Sequence, residues 1–207
     1  MRANEDLCLK GKQVLLAPYE KEFVPLYHTW MQNKTLLEQT ATEPLSLKEE
    51  YENQISWRED PHKCSFIIIY IQQEQPQQIV GDVNAFLLQD EDSSAVEVEV
   101  MIAETSYRRL GLATEAVQLL LLFVNRYLGL NTFIAKIATG NTASLGLFRR
   151  LGFEIYRQVP VFSEVHLRKT DVDPVEVQLG SWKRDWYSLC KHIIPNHITT
   201  TEKEEYE

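Results

Sequence analysis

Between Val96 and Leu128 the hydrophobic period changes from two to about three and a half across one short turn. Val96, Val98, Val100 and Ile102 fall on one side of an extended segment, and Glu97, Glu99, Met101 and Ala103 on the other. A strand with two unlike faces has to lie between different environments. From Ala113 to Leu128 the chain is apolar almost all round and stops at Gly129, which predicts a long buried helix. The joint between them reads Arg108-Arg109-Leu110-Gly111-Leu112-Ala113. A glycine and a small residue let such a turn close tightly, so that successive amides converge where a helix N-terminus adds partial positive charge. That arrangement suits a pyrophosphate, although the same residues also serve an ordinary strand-to-helix loop with two solvated arginines.

The rest of the chain continues the mixed pattern. Val14, Leu15 and Leu16 within Lys12 to Tyr19 predict a first strand, and Pro25 opens a helix. Ser46-Leu47-Lys48-Glu49 has capping-box spacing and starts a helix to about Arg58. Cys64 to Ile71 and Ile79 to Leu88 are β-rich runs around the glutamine-rich Gln72 to Gln78, and predict a hairpin. Thr132 to Thr139 is a further strand, and a helix from Ala143 to Leu151 ends at Gly152. Phe153 to Val159 and Phe162 to Lys169 offer two closing strands. The order is α/β of the α+β kind. Residues 1–170 form one domain, 171–198 an extension whose Ser181 to Ile194 is amphipathic and helical, and 199–207 an acidic disordered tail.

Charge and cysteine content narrow the function. Thirty acidic against 21 basic residues give a net charge of -9, which argues against nucleic acid, whose phosphates need clustered Lys and Arg. Cys8, Cys64 and Cys190 are odd in number and far apart, so neither a disulfide framework nor a zinc cluster is expected. The five histidines have no ligand spacing, so no metal is assigned. The longest apolar run, Leu119 to Val124, is too short to span a bilayer, and no leader opens the chain. An intracellular, cytoplasmic protein off the membrane is the expectation.

Arg-x-x-Gly-x-Ala after an alternating strand and before a long helix is followed by Asn141-Thr142-Ala143-Ser144 and by Leu147-Phe148-Arg149-Arg150-Leu151-Gly152-Phe153. In this order the motifs resemble the GCN5-related N-acetyltransferase (GNAT) family over roughly Lys12 to Lys169. Gly-Asp-Val-Asn at Gly81 to Asn84 and Glu-Val-Met-Ile-Ala-Glu at Glu99 to Glu104 look like the eukaryotic N-acetyltransferase nine-like branch, itself similar to bacterial ribosomal-protein alanine acetyltransferases. The resemblance implies a mixed, mostly antiparallel central sheet with helices on both faces and one splayed strand pair, Val96 to Ala103 against Thr132 to Thr139.

It also implies acetyl-CoA as cosubstrate. The pyrophosphate would lie on Arg109, Leu110, Gly111, Leu112, Ala113 and Thr114, with Arg108 opening the signature and Asn141 and Ser144 beside the cofactor arm. Asn141 equally suits a helix cap. The acceptor is an amine, foremost a protein N-terminal α-amine. A small-molecule amine is one alternative, and an acyl-CoA-binding interaction module with weak or no catalysis is another. Glu97 and Glu99 share a strand face and are the candidate proton acceptors. Alignment with the family puts Glu97 at the frequent base position, with Glu99 close behind. Phe148 stands where many relatives carry a tyrosine as general acid. Acceptor choice is expected from Pro25 to Arg58 and the loop Val159 to Ser163, and the extension could meet a protein partner.

Overall fold

A computed structural model describes residues 4–73, 75–88, 95–172, 178–180 and 192–194. Among these described residues nine strands form one sheet: β1 Cys8–Lys10, β2 Val14–Pro18, β3 Lys63–Gln72, β4 Gln75–Leu87, β5 Ala95–Ile102, β6 Thr132–Ala138, β7 Glu154–Val159, β8 Glu164–Lys169 and β9 Gln178–Gly180. Five α-helices join them: α1 Val24–Trp30, α2 Lys34–Thr40, α3 Leu47–Glu59, α4 Leu112–Phe123 and α5 Thr142–Arg150. The sheet order is β7-β8-β6-β5-β4-β3-β2-β1-β9. Every neighbouring pair is antiparallel except β5 and β6.

Alternation along the strands builds two cores. On one face Val96 and Val98 of β5, Phe66 and Ile68 of β3, and Val83 of β4 pack with Leu112, Ala116, Leu119, Leu120 and Phe123 of α4 and Leu147 and Phe148 of α5. On the other face Ile67, Ile69 and Met101 meet Tyr27 and Trp30 of α1 and Leu36 of α2, with Tyr51 and Trp57 of α3 at the margin. The opposed sets of β5 foreseen from its period thus face different layers, with helices on both faces of a mostly antiparallel sheet.

Local chemistry sets the element ends. The Ser46 capping box forms as expected, with Glu49 N donating to the serine oxygen and Glu49 returning to Ser46 N at 2.8 Å. The helix foreseen to Leu128 leaves α geometry after Phe123 and widens into a π-turn over Val124–Leu128, which lets Phe123 and Tyr127 stack at 5.1 Å. Gln75 to Gln78 belong to β4 rather than to a loop; register shifts that skip Gln77 and Val80 of β4 against a continuous β3 absorb the extra length. Pro160–Phe162 is a 3-10 turn, so β8 begins two residues later than Phe162.

Of the extension, β9 pairs with β1, and Ile193 and Ile194 pack against the α1–α3 core. The helix foreseen to Ile194 does not reach it. Residues 192–194 are turn and bend, because Pro195 disfavours helical geometry in the residue before it. Trp182, Trp186 and Leu189, the rest of that expected helix, and the 199–207 tail lie outside the described residues, as does Cys190. No helix among the described residues is long and apolar enough to cross a membrane.

Candidate active site

β5 and β6 pair in parallel only at Ala95↔Thr132, Val96↔Phe133 and Glu97↔Ile134. β5 then runs on to Ile102 and β6 to Ala138 without pairing to each other, so the strands splay and both present unpaired backbone toward the gap. β5 leads through a 3-10 turn at Thr105–Tyr107 to the N-terminus of α4.

That terminus is built from backbone. Gly111 occupies the N-cap position at φ 86°, and its lack of a side chain leaves the first amides of α4 without a side-chain cap. A Cβ built there meets nothing within 4 Å, so the turn is open around Gly111. Arg109 is also left-handed, at φ 62°. Arg108 Nε donates to the Ile102 carbonyl at 2.8 Å, pinning the turn to the end of β5. Leu110 is exposed, Leu112 is buried, and Ala113 and Thr114 are half-buried in the first turn. These groups fit a pyrophosphate. Across the gap, Asn141 caps α5, its Oδ1 accepting from Ser144 N at 3.1 Å. The cap reading of Asn141 is therefore realised.

Glu97 and Glu99 lie on the α1–α3 face, as Met101 does. They differ in environment. Lys136 Nζ of β6 donates to Glu97 Oε2 at 2.6 Å across the splay, so one Glu97 oxygen is engaged. Glu99 is open to water on one side and crowded by protein on the other. Loss of solvent around the carboxyl, reinforced by the Glu97 and Asp82 charges, pushes it up to about 7 against the pull of Lys63 and Lys136.

The polar groups behind Glu99 had no separate role in the sequence reading. Asn84 stands opposite Glu99 on β4, and its Nδ2 donates to Asp82 Oδ2 at 2.7 Å. Tyr27 OH donates to the same oxygen at 3.4 Å. Burial pushes Asp82 up to about 6, opposed by these bonds and by Lys63. Lys63 lies over the rings of Trp57 and Phe86, 4.6 Å from the latter's centroid, and burial lowers it to about 7. A run of charged and amide residues at alternate positions of two central strands was the available signal. Gly81 lets these strands close up, since a Cβ there would meet Met101 O at 1.9 Å. Phe148 is buried and meets Phe153 edge-on at 5.0 Å, so it serves the core. Tyr127 stacks on Phe123, while Tyr107 and Tyr156 lie tilted against Tyr70 and His166. No group of three metal-ligating side chains occurs among the described residues.

Residues 13–154 match the family model for the acetyltransferase (GNAT) domain. The chain belongs to the GNAT acetyltransferase family. It is 47% identical over 178 residues to the alpha/beta-tubulin-N-acetyltransferase 9 of Homo sapiens, covering 82% of this chain and 86% of that protein. To the N-acetyltransferase 9-like protein of Nematostella vectensis it is 41% identical over 174 residues, 81% of this chain and 88% of that one. Among solved structures, a ribosomal L7/L12 alpha-N-protein acetyltransferase in complex with coenzyme A shares the fold at TM-score 0.62 and 17% identity, over 78% of this chain and 96% of that one. This GNAT protein is thus an acetyl-CoA-dependent N-acetyltransferase, of the N-acetyltransferase nine-like branch that its motifs resemble.

Proposed function

We propose that the protein acetylates the N-terminal α-amine of a protein, with Glu99 as proton acceptor. The observation that carries the reading is the position of Glu99. It stands on the strand that splays from β6, two residues beyond the last parallel pair, with a carboxyl whose pKa lies near neutral. An α-amine with a pKa near 8 is largely protonated at pH 7, and a base matched to that pH removes its proton most effectively. Glu97, engaged by Lys136, orients the floor of the gap.

Acetyl-CoA supplies the thioester whose acetyl group is transferred. The amides of Arg109 to Thr114 would hold its pyrophosphate, and the unpaired edges of β5 and β6 its pantetheine arm. Arg108 holds the turn, while Asn141 and Ser144 fix the start of α5 beside the arm. With Phe148 in the core, α5 offers no hydroxyl at that position. A thiolate of pKa near 8.5 leaves without full protonation.

The relatives named as tubulin acetyltransferases support a protein acceptor, which this chain would meet in the cytoplasm. The test is incubation of the full chain with labelled acetyl-CoA and peptides carrying the N-termini of α- and β-tubulin, beside lysine peptides and polyamines. Label confined to N-terminal peptides is expected. Transfer to polyamines alone would move the acceptor to small-molecule amines, and tight acetyl-CoA binding with no transfer would make the fold a binding module.

A further inference from the structure

Glu99 belongs to a polar row that crosses three strands and ends at the residue after a fourth. Glu99 of β5 registers with Asn84 of β4, and Asn84 with Ser65 of β3. Tyr19, the residue after β2, bonds through its N–H to the Ser65 carbonyl at 3.3 Å. All four residues lie on the α1–α3 face. Asn84, Ser65 and Tyr19 are 5%, 9% and 7% exposed. Each nonetheless carries a buried polar atom without a hydrogen-bond partner among the described residues: Asn84 Oδ1, Ser65 Oγ and Tyr19 OH.

One such atom would be an isolated cost. Three in consecutive positions of one row form a pattern, because buried polar groups are nearly always satisfied by protein or by ordered water. Side chains opposite one another on neighbouring strands stand roughly 5 Å apart, a span that one water can bridge with two hydrogen bonds. At the far end Ser65 and Tyr19 line a cavity of about 20 Å³, together with Asn4, Glu20, Trp57 and Arg58. That volume holds a water. The Glu20–Arg58 ion pair sits beside it, and burial raises the Glu20 carboxyl above its ordinary range.

We propose that the row Glu99–Asn84–Ser65–Tyr19 is a water-filled proton exit, leading from the acetyl-transfer site across the sheet to the cavity beside Glu20. The proposal rests on the reading of Glu99 as the proton acceptor. The reaction needs an exit. An ammonium acceptor carries three protons and the product amide keeps one; as the C–N bond forms and the C–S bond breaks, one proton ends on the sulfur and the other must leave. Glu99 meets water directly in the open cleft, but an acceptor and acetyl-CoA bound there cover that side. Ser65 and Tyr19 hydroxyls both accept and donate, so each passes a proton along a chain of waters. Asn84 is fixed by Asp82, so its oxygen remains an acceptor that orients the first water. Asn84, Ser65 and Tyr19 are positioning residues, acting through Glu99 without touching either substrate.

Two measurements test this. A crystal structure of the full chain should show ordered waters bridging Asn84 Oδ1, Ser65 Oγ and Tyr19 OH; a dry row closed by direct side-chain bonds would overturn the proposal. In kinetics with N-terminal tubulin peptides at low buffer, Ser65→Ala and Tyr19→Phe should each lower kcat by roughly 10-fold, less than loss of the base itself. KM for acetyl-CoA should hold, the solvent isotope effect should rise, and added imidazole should restore kcat. A structural defect would not respond to imidazole, so loss without rescue counts against the exit, as does unchanged kcat. If Glu99→Gln retains full kcat, the base reading fails by itself, and the waters in the crystal still decide whether the row is wet.

Discussion

Glu97 and Glu99 are two residues apart on one face, yet a lysine engages one and the other stands half in water beside a buried aspartate. Glu99→Gln should therefore lower kcat by roughly 10²-fold with acetyl-CoA affinity unchanged, whereas Glu97→Gln should cost much less. The pH dependence of kcat/KM should rise through the Glu99 value near 7, and that limb should vanish in Glu99→Gln. A full limb in the variant would assign it to another group. Asp82 makes a stability prediction of definite sign. Its carboxyl moves from 3.8 to about 6 on folding, so the native state holds its proton where the unfolded chain has released it. Stability from this group is present below pH 3.8 and is lost as pH rises to about 6. At about 1.4 kcal/mol per pH unit, the loss is about 3 kcal/mol. Urea melts of wild type and Asp82→Asn at pH 4 and 7 should show the variant gaining on wild type by about that amount; a constant difference would mean that Asp82 does not titrate on folding.

Two helices test how elements present the site. At the start of α4, Gly111 holds a backbone angle that a residue with a Cβ adopts at a cost of about 1–2 kcal/mol. Gly111→Val should reshape the turn and fill the open side, with acetyl-CoA affinity in calorimetry falling at least roughly 10-fold while circular dichroism keeps the fold. Unchanged affinity would remove the pyrophosphate from this turn. α3 carries Trp57 and Arg58 over the polar row, and Ser46→Ala should cost about 1 kcal/mol by opening its capping box. The caps and periods of these helices were legible because they are local: a serine three residues before a glutamate, or a glycine after an apolar run, acts within one turn. The short α2 and the three-residue β1 were not foreseen. Asn33 caps α2 through the Thr35 and Leu36 amides, and Lys10 and Leu9 pair with β2, but neither segment carries enough period to announce itself.

At the scale of the molecule, the period of β5 located the two layers, and the family resemblance supplied the splay beside it. The polar row lay outside the reach of sequence reading. Glu99, Asn84, Ser65 and Tyr19 are scattered over 80 positions and become neighbours only through the register of three strand pairs. The pairing of β9 with β1 was out of reach for a similar reason, since it joins two short segments from opposite ends of the chain. A chain ended at Asp173 loses β9 and the packing of Ile193 and Ile194, so its melting temperature should fall by several degrees. An unshifted melting curve would make those contacts incidental.

The pairing of β9 with β1 also bears on the order in which the protein is made. Lys10 leaves the ribosome early and Gln178 late, and at 5–20 residues per second its partner follows roughly 10 to 30 s behind. For that interval β1 has β2 on one side and an unguarded row of amides and carbonyls on the other, the kind of edge on which a second chain can add itself. Once α4 emerges, the Glu115 carboxylate accepts from the Lys12 and Gln13 amides of the β1–β2 turn and ties that hairpin to α4, so the waiting edge is at least held in place. The final three residues of strand then act as a seal, applied after the catalytic half of the sheet is already complete.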